Sequence, residues 1–281
     1  MLAFAPVNSK TRNLLELAYR EFHSCYHRTL DPISFAHQYE DRKDKEIVAF
    51  LAALLSYGNV RTILNSVEKV LAVLGPHPYS ILREQTEFPS LKGFRHRFTT
   101  DEDIQIVFSW LHTALNREGS LESFFSCGQK KLAGPLKPHL SSFVNRFTSL
   151  PLPPALQKRR TARERNLKYL VSDPERGSAC KRLNMFLRWV VRKGDSIDLG
   201  LWNCLGEDQL LLPVDTHLLK TLRQLRWTRS KQATWKVVEA ATERLREYSP
   251  RDPVRFDFSL CHLGMSGASL RDFARDYAKL E

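Results

Sequence analysis

Apolar residues recur at spacings of three and four through most of the chain, as in Ile47, Phe50, Leu51, Leu54 and Leu55, and again in Ile63, Val67, Val70, Leu71 and Leu74. That is the period of a helix with one face against a core. No stretch alternates apolar and polar residues well enough to predict a strand, so the pattern predicts an all-α fold of roughly a dozen helices. Helix starts are expected where an acidic cap precedes a helix-compatible run, at Asp31-Pro32, at Asp101 ahead of Ile104, and at Asp252-Pro253. Gly75-Pro76-His77-Pro78 and Leu150-Pro151-Leu152-Pro153-Pro154 are poor in helix-forming capacity and read as connections. The second leads into Lys158, Arg159, Arg160, Arg163 and Arg165, the clearest compositional break in the chain. Such a basic run is either a phosphate clamp or an ordinary solvated surface.

Composition narrows the class. At 281 residues and 42% hydrophobic, the chain can bury one large core or two smaller ones. Lys and Arg outnumber Asp and Glu, 43 to 31, for a net charge of +12, an excess that points to a polyanionic partner, nucleic acid first and an anionic membrane surface second. No apolar run is long enough to span a bilayer, and Met1 to Lys10 lacks the design of a signal peptide, so an intracellular protein without membrane association is expected. The five cysteines, Cys25, Cys127, Cys180, Cys204 and Cys261, are widely spaced, with no Cys-x-x-Cys pair and no zinc spacing. They are expected to be reduced, mostly buried thiols, with no metal and no cofactor.

Two stretches carry candidate chemistry. From Asp173 to Lys193 a turn containing Gly177 and Ser178 feeds a long helix with an apolar stripe of Leu183, Phe186, Leu187, Val190 and Val191. Lys181, Arg188 and Arg192 share the other face, and Lys181 falls in the first turn, where unsatisfied backbone N–H groups attract an anion such as phosphate. The second stretch, Leu211 to Arg223, delivers Asp215 through Pro213 and Val214 to the start of a helix with Leu218, Leu219 and Leu222 on its apolar face. By itself, Asp215 reads as an N-cap.

Together these stretches resemble the helix-hairpin-helix DNA glycosylase superfamily, which includes endonuclease III and the 8-oxoguanine glycosylases. Lys181-Arg182-Leu183-Asn184-Met185-Phe186-Leu187 matches that family's Lys-x-x-Asn-x-x-Leu pattern, and Val214-Asp215-Thr216-His217 matches its Val-Asp-Thr-His segment. Leu54-Leu55-Ser56-Tyr57-Gly58-Asn59 is similar to the Leu-Leu-Ser segment whose closing polar residue fills the gap left by a flipped base, and Asp252-Pro253 with the run through Leu260 to Gly264 looks like the closing helix. The likeness spans about residues 45 to 265. Lys181 and Asp215 stand 34 residues apart, a longer spacing than in endonuclease III and closer in style to the archaeal 8-oxoguanine branch. A single Gly177 stands four residues before the lysine where the family has Gly-x-Gly, Gly58 takes the place of the usual glutamine wedge, and the four-cysteine cluster site is missing.

The resemblance implies two helical lobes with a helix-hairpin-helix element and an active-site cleft between them, one lobe over residues 45–180 and the other formed by residues 1–44 and 181–281. It also implies a monomer, cytoplasmic and nucleoid-associated, that excises an oxidised purine such as 8-oxoguanine from double-stranded DNA. Lys181 becomes the Schiff-base nucleophile, and Asp215 the carboxylate that stabilises the sugar cation and orients the nucleophile. Asn59, Gly177, Ser178, Arg182, Arg188 and His217 become DNA contacts, and Tyr57, Trp110 and Trp202 candidates for stacking on the flipped base. Each has a plainer alternative: lone aromatics such as these and Trp189 are usually core, His217 reads as a structural hydrogen-bonder, and Lys181 as one more surface lysine. A helix-hairpin-helix protein that only grips DNA, and a hydrolase of free or RNA-borne nucleosides, are the competing functions.

Overall fold

Short polar side chains decide where most of the helices begin. In a computed structural model, which describes residues 8–267 together with Asp272, Phe273 and Arg275, Asn8 opens α1 (Ser9–Phe22) and Ser24 opens α2 (Cys25–Thr29) by accepting first-turn amides. Asp31 caps a 3-10 turn over Pro32–Gln38 where an α-helix was expected. Asp41 then caps α3 (Arg42–Leu55) and Asn59 caps α4 (Val60–Leu74). Next come α5 (Pro78–Glu84), a two-residue antiparallel pair β1 (Arg95–His96) and β2 (Thr99–Thr100), and α6 (Asp101–Glu118), which starts at a capping box of Thr100 and Asp103. The ladder pairs Arg95 with Thr100 and His96 with Thr99, too short to leave an alternating signature in the sequence.

The chain continues through α7 (Leu121–Ser126), α8 (Leu136–Thr148), α9 (Pro154–Leu170), α10 (Lys181–Val191), α11 (Thr216–Gln224), α12 (Trp235–Arg246) and α13 (Asp257–Met265). The fold of the described residues is all-α, as the periodicity predicts. The proline-rich stretch does separate two helices, but α9 folds back onto α6, so it is a turn between packed elements. Asp252-Pro253 opens no helix. Asp252 is spent on Arg192 at 2.9 Å, and α13 begins at Asp257.

α3 is the central element: every residue from Glu46 to Leu55 is buried, and the helix packs on α10, α4 and α5. Around it lies an aromatic core in which Phe50 meets Phe143, Phe147 and Phe186 edge to face. Trp110, Trp189 and Trp202 are fully buried here. The expectation that Trp110 and Trp202 stack on a flipped base is therefore wrong. Trp202 is held by its indole N–H, which donates to Glu46 at 2.6 Å, and by an edge-on contact with Phe186. Packing around a large ring removes more apolar surface from water than a ligand-facing position allows. Elsewhere α1 and α11 both pack on α13. Among the described residues no helix is long and apolar enough to cross a membrane.

Candidate active site

The site is built outward from the start of α10. Asp173 caps the 3-10 turn Pro174–Arg176, and Gly177 follows at φ +78 with open space where a Cβ would stand. Backbone contacts fix the hairpin: the Trp235 amide donates to the Gly177 carbonyl at 3.1 Å, and Ser178 forms a bridge with Thr234. Cys180 then takes a left-handed conformation, φ 46, so that α10 starts without a side-chain cap. Its first-turn amides lack the protein side-chain acceptor that α1, α3 and α4 have. Gly177 is exposed and Ser178 half-buried, so the outer side of the hairpin is open to a partner.

Lys181 is the one residue of α10 that is not buried. Its Nζ donates to the Ser56 carbonyl at 3.1 Å, which ties the start of α10 to the C-terminus of α3. Asp215 caps α11, its Oδ1 accepting the Leu218 amide at 2.7 Å, as a bare reading of the sequence predicts. Its second oxygen is not used by the cap.

Cys261 of α13 relates the two residues. Burial pushes its thiol well above the usual value, Asp215 and Asp257 push it further, and Lys181 opposes them. Both candidate residues thus lie within electrostatic reach of one sulfur. Burial also pushes the Asp257 carboxyl up to about 6, against Arg188, with Asp215 adding to the rise. Cys261 as a residue is half-buried, while its thiol is surrounded by protein. No sequence signal singles out Cys261, because a lone cysteine on a helix carries no spacing. Of the other thiols, Cys180 and Cys204 are buried as expected, while Cys25 and Cys127 are exposed, contrary to the expectation that most are buried.

Two of the expected DNA contacts are in the interior. Arg188 is 3% exposed and bound to Asp257 and to Asp198, the latter at 3.2 Å. With Arg192, which pairs with Asp195, Asp198 and Asp252, it forms a buried ionic network that joins α10 to the following loop and to α13. Its charge is neutralised and no phosphate can reach it. The polar face of α10 expected to carry Lys181, Arg188 and Arg192 together is thus divided, Lys181 at a surface and the two arginines inside. Arg182 is also buried, donating to the carbonyls of Leu54 and Tyr169 with its guanidinium against both the Tyr57 and Tyr169 rings. It shapes the site from below and makes no surface contact.

The remaining candidates are at or near the surface. Asn59 is exposed and its Oδ1 accepts the Arg61 amide at 2.9 Å. Tyr57 is half-buried, with its hydroxyl bonded to Thr99 at 2.6 Å and to the His96 carbonyl at 2.9 Å. His217 is exposed beside Gly264, where an added Cβ would come within 3.1 Å of the His217 Cβ, so α11 and α13 need a glycine at this crossing. Two surface recesses, one containing Tyr39, Asp41, Asp44 and His77 and another containing Leu136, Asp208, Glu239 and Arg246, lie away from Lys181. Their acidic linings suit a polyanion poorly. Among the described residues no group of three or more His, Cys, Asp or Glu is arranged to hold a metal ion.

A family model of proteins of unknown function, DUF2400, matches residues 31–266. The chain belongs to the DUF2400 family. The DUF2400 match takes in every candidate residue from Asn59 to Cys261 and leaves out α1 and α2. No curated protein and no solved structure matches the chain.

Proposed function

We propose that this chain is a base-excision DNA glycosylase with abasic-site lyase activity, acting on an oxidised purine such as 8-oxoguanine in double-stranded DNA. The reading rests on the arrangement of two helix starts: the Lys181 amine is held at the Ser56 carbonyl, and α11, which Asp215 caps, packs on α13, whose Cys261 thiol feels the charge of both residues. On this reading two helical lobes face each other across a cleft that holds Lys181 and Asp215, and the protein works as a cytoplasmic, nucleoid-associated monomer without a cofactor.

Lys181 Nζ leaves the Ser56 carbonyl and attacks C1′ of an extruded nucleotide, and the bond to the base breaks with its electron pair leaving on the base. Asp215 stabilises the positive charge that develops on the sugar and takes the proton that the attacking nitrogen loses. Opening of the sugar ring, with O4′ protonated, gives the Schiff base. Elimination across C2′–C3′ then expels the 3′ phosphate and cuts the strand. The uncapped start of α10 and the open hairpin at Gly177 and Ser178 hold a neighbouring phosphate.

Borohydride trapping tests this directly. The full chain is expected to form a covalent adduct on an 8-oxoguanine duplex. Lys181→Gln should abolish it, and Asp215→Asn should slow it by at least about 100-fold, the usual scale for an aligned proton-transfer or charge-stabilising group. An adduct on an abasic duplex alone would keep the lyase and overturn the lesion. No adduct on either, with salt-sensitive binding retained, would favour a helix-hairpin-helix protein that only grips DNA.

A further inference from the structure

Beside Lys181 lies an aromatic cluster that the proposed chemistry does not use. Tyr169, at the end of α9, is 44% exposed, an unusual exposure for so large a ring in this protein. It is held in place from several sides. The Arg182 guanidinium lies 4.2 Å from its centroid, Phe98 meets it edge to face at 4.6 Å, and Tyr57 does so at 5.4 Å. Phe98 stacks on Tyr57 at 5.2 Å and stands in the tight turn between β1 and β2, whose carbonyl is clamped by Arg163 at 2.7 Å and Asn166 at 3.1 Å. Tyr57 directly follows Ser56, the residue whose carbonyl holds the Lys181 amine.

The charges beneath and beside the rings indicate the occupant. Arg188, buried on α10, and Arg192, buried at its C-cap, are neutralised by aspartates, whereas Arg182 has carbonyls and ring faces for partners and, among the described residues, no carboxylate ion pair. A buried cation without a counter-charge makes the surface above it electropositive. Arg97, exposed at φ 56 in the same turn, lies over Gly58, its Cδ 3.1 Å from where a Cβ would stand. An exposed aromatic ring backed by a cation, with an exposed guanidinium in the adjoining turn that makes no ion pair among the described residues, fits a nucleobase with its attached phosphate better than an aliphatic ligand.

We propose that the exposed Tyr169 ring, propped edge to face by Phe98 and backed by Arg182, is a shelf on which an unpaired nucleobase of a DNA duplex stacks, with Arg97 holding the phosphate of that nucleotide. The inference rests on the DNA-binding part of the function proposed above and is independent of the lyase. It assigns Tyr169 the role of recognising unpaired nucleotides.

The test uses the full chain and two duplexes, one with 2-aminopurine opposite an abasic analogue and one with it opposite thymine. Wild type should bind the first more tightly and quench its fluorescence. Tyr169→Ala should weaken that binding about 5- to 100-fold, the range spanned by one base–aromatic stack, and leave the paired duplex bound as before. Tyr169→Phe, which keeps the ring face, should retain the preference, and matched thermal melts show that each variant is folded. Equal losses on both duplexes, no loss, or a wild type that binds neither or shows no preference would overturn the shelf. Preference without any borohydride adduct would count against the lyase alone.

Discussion

Lys181 and Asp215 both act on the charge state of the Cys261 thiol, in opposite directions. A thiol raised by burial and by Asp215 is a poor nucleophile at neutral pH, because little of it is thiolate. Iodoacetamide should therefore modify the exposed Cys25 and Cys127 well before Cys261. Asp215→Asn removes a negative charge near the sulfur and should speed Cys261 alkylation, while Lys181→Met removes the opposing positive charge and should slow it. Mass spectrometry of the alkylated peptides reads both. Identical rates in both variants would show that the three side chains are too far apart to share a site.

Among the elements, α10 does the most. One end presents Lys181 and the other carries Arg188 and Arg192 into the acidic cluster that holds the loop over residues 195–198 in place. Asp195 is the member of this cluster with the clearest pH signature. Burial works against its charged form, but the His23 hydrogen bond, the Arg192 charge and the amides of Asp198 and Ile197 outweigh it and hold the carboxyl below the usual range. A depressed folded value means stabilisation that is present above the unfolded value near 4 and lost as the pH falls through the folded one. Asp195→Asn should cost about 2 kcal/mol at pH 7, the scale of a charged hydrogen-bonding partner removed from a mostly buried site. The gap to wild type should narrow as the pH drops from about 5 towards 2. Urea unfolding across that range measures it, and a gap constant with pH would refute the assignment.

At the scale of the whole molecule, the +12 charge is unevenly placed. The arginines of α10 are consumed internally, whereas Thr216–Val238 contains six cations and no carboxylate. All six, Lys220, Arg223, Arg226, Arg229, Lys231 and Lys236, are exposed. The same segment leads to Trp235, which touches the hairpin at Gly177, so its charge borders the candidate site. Duplex binding should fall about 100-fold between roughly 50 and 200 mM salt, as about four phosphate contacts require. Arg226→Glu with Arg229→Glu should weaken binding at low salt and flatten that dependence by about one unit of slope per lost contact. Filter binding at several salt concentrations reads both, and an unchanged slope would place the DNA elsewhere.

The all-α fold and the two helix starts that carry Lys181 and Asp215 were legible from the chain alone. Both depend on local facts: the apolar period belongs to a single helix, and a cap acts on the amides two and three residues on. What lies across the core depends on partners distant in sequence, which local patterns do not encode. α10 shows the difference. Its helix follows from Leu183, Phe186, Leu187, Val190 and Val191, but Arg188 and Arg192 look like a polar face until Asp198, Asp252 and Asp257 fold over them. Trp110 and Trp202 were open to either role until packing around α3 buried them. Cys261 and Tyr169 gain significance only where α13 and α9 bring them beside Lys181 and Arg182. Sequence by itself determined the helical class and the side chains that most helices carry, though not that Pro32–Gln38 would wind as a 3-10 turn or that Asp252 would go to Arg192 instead of a helix start. Tertiary structure decided which charges are neutralised inside and which remain for a partner, because burial and ion pairing are properties of several elements together.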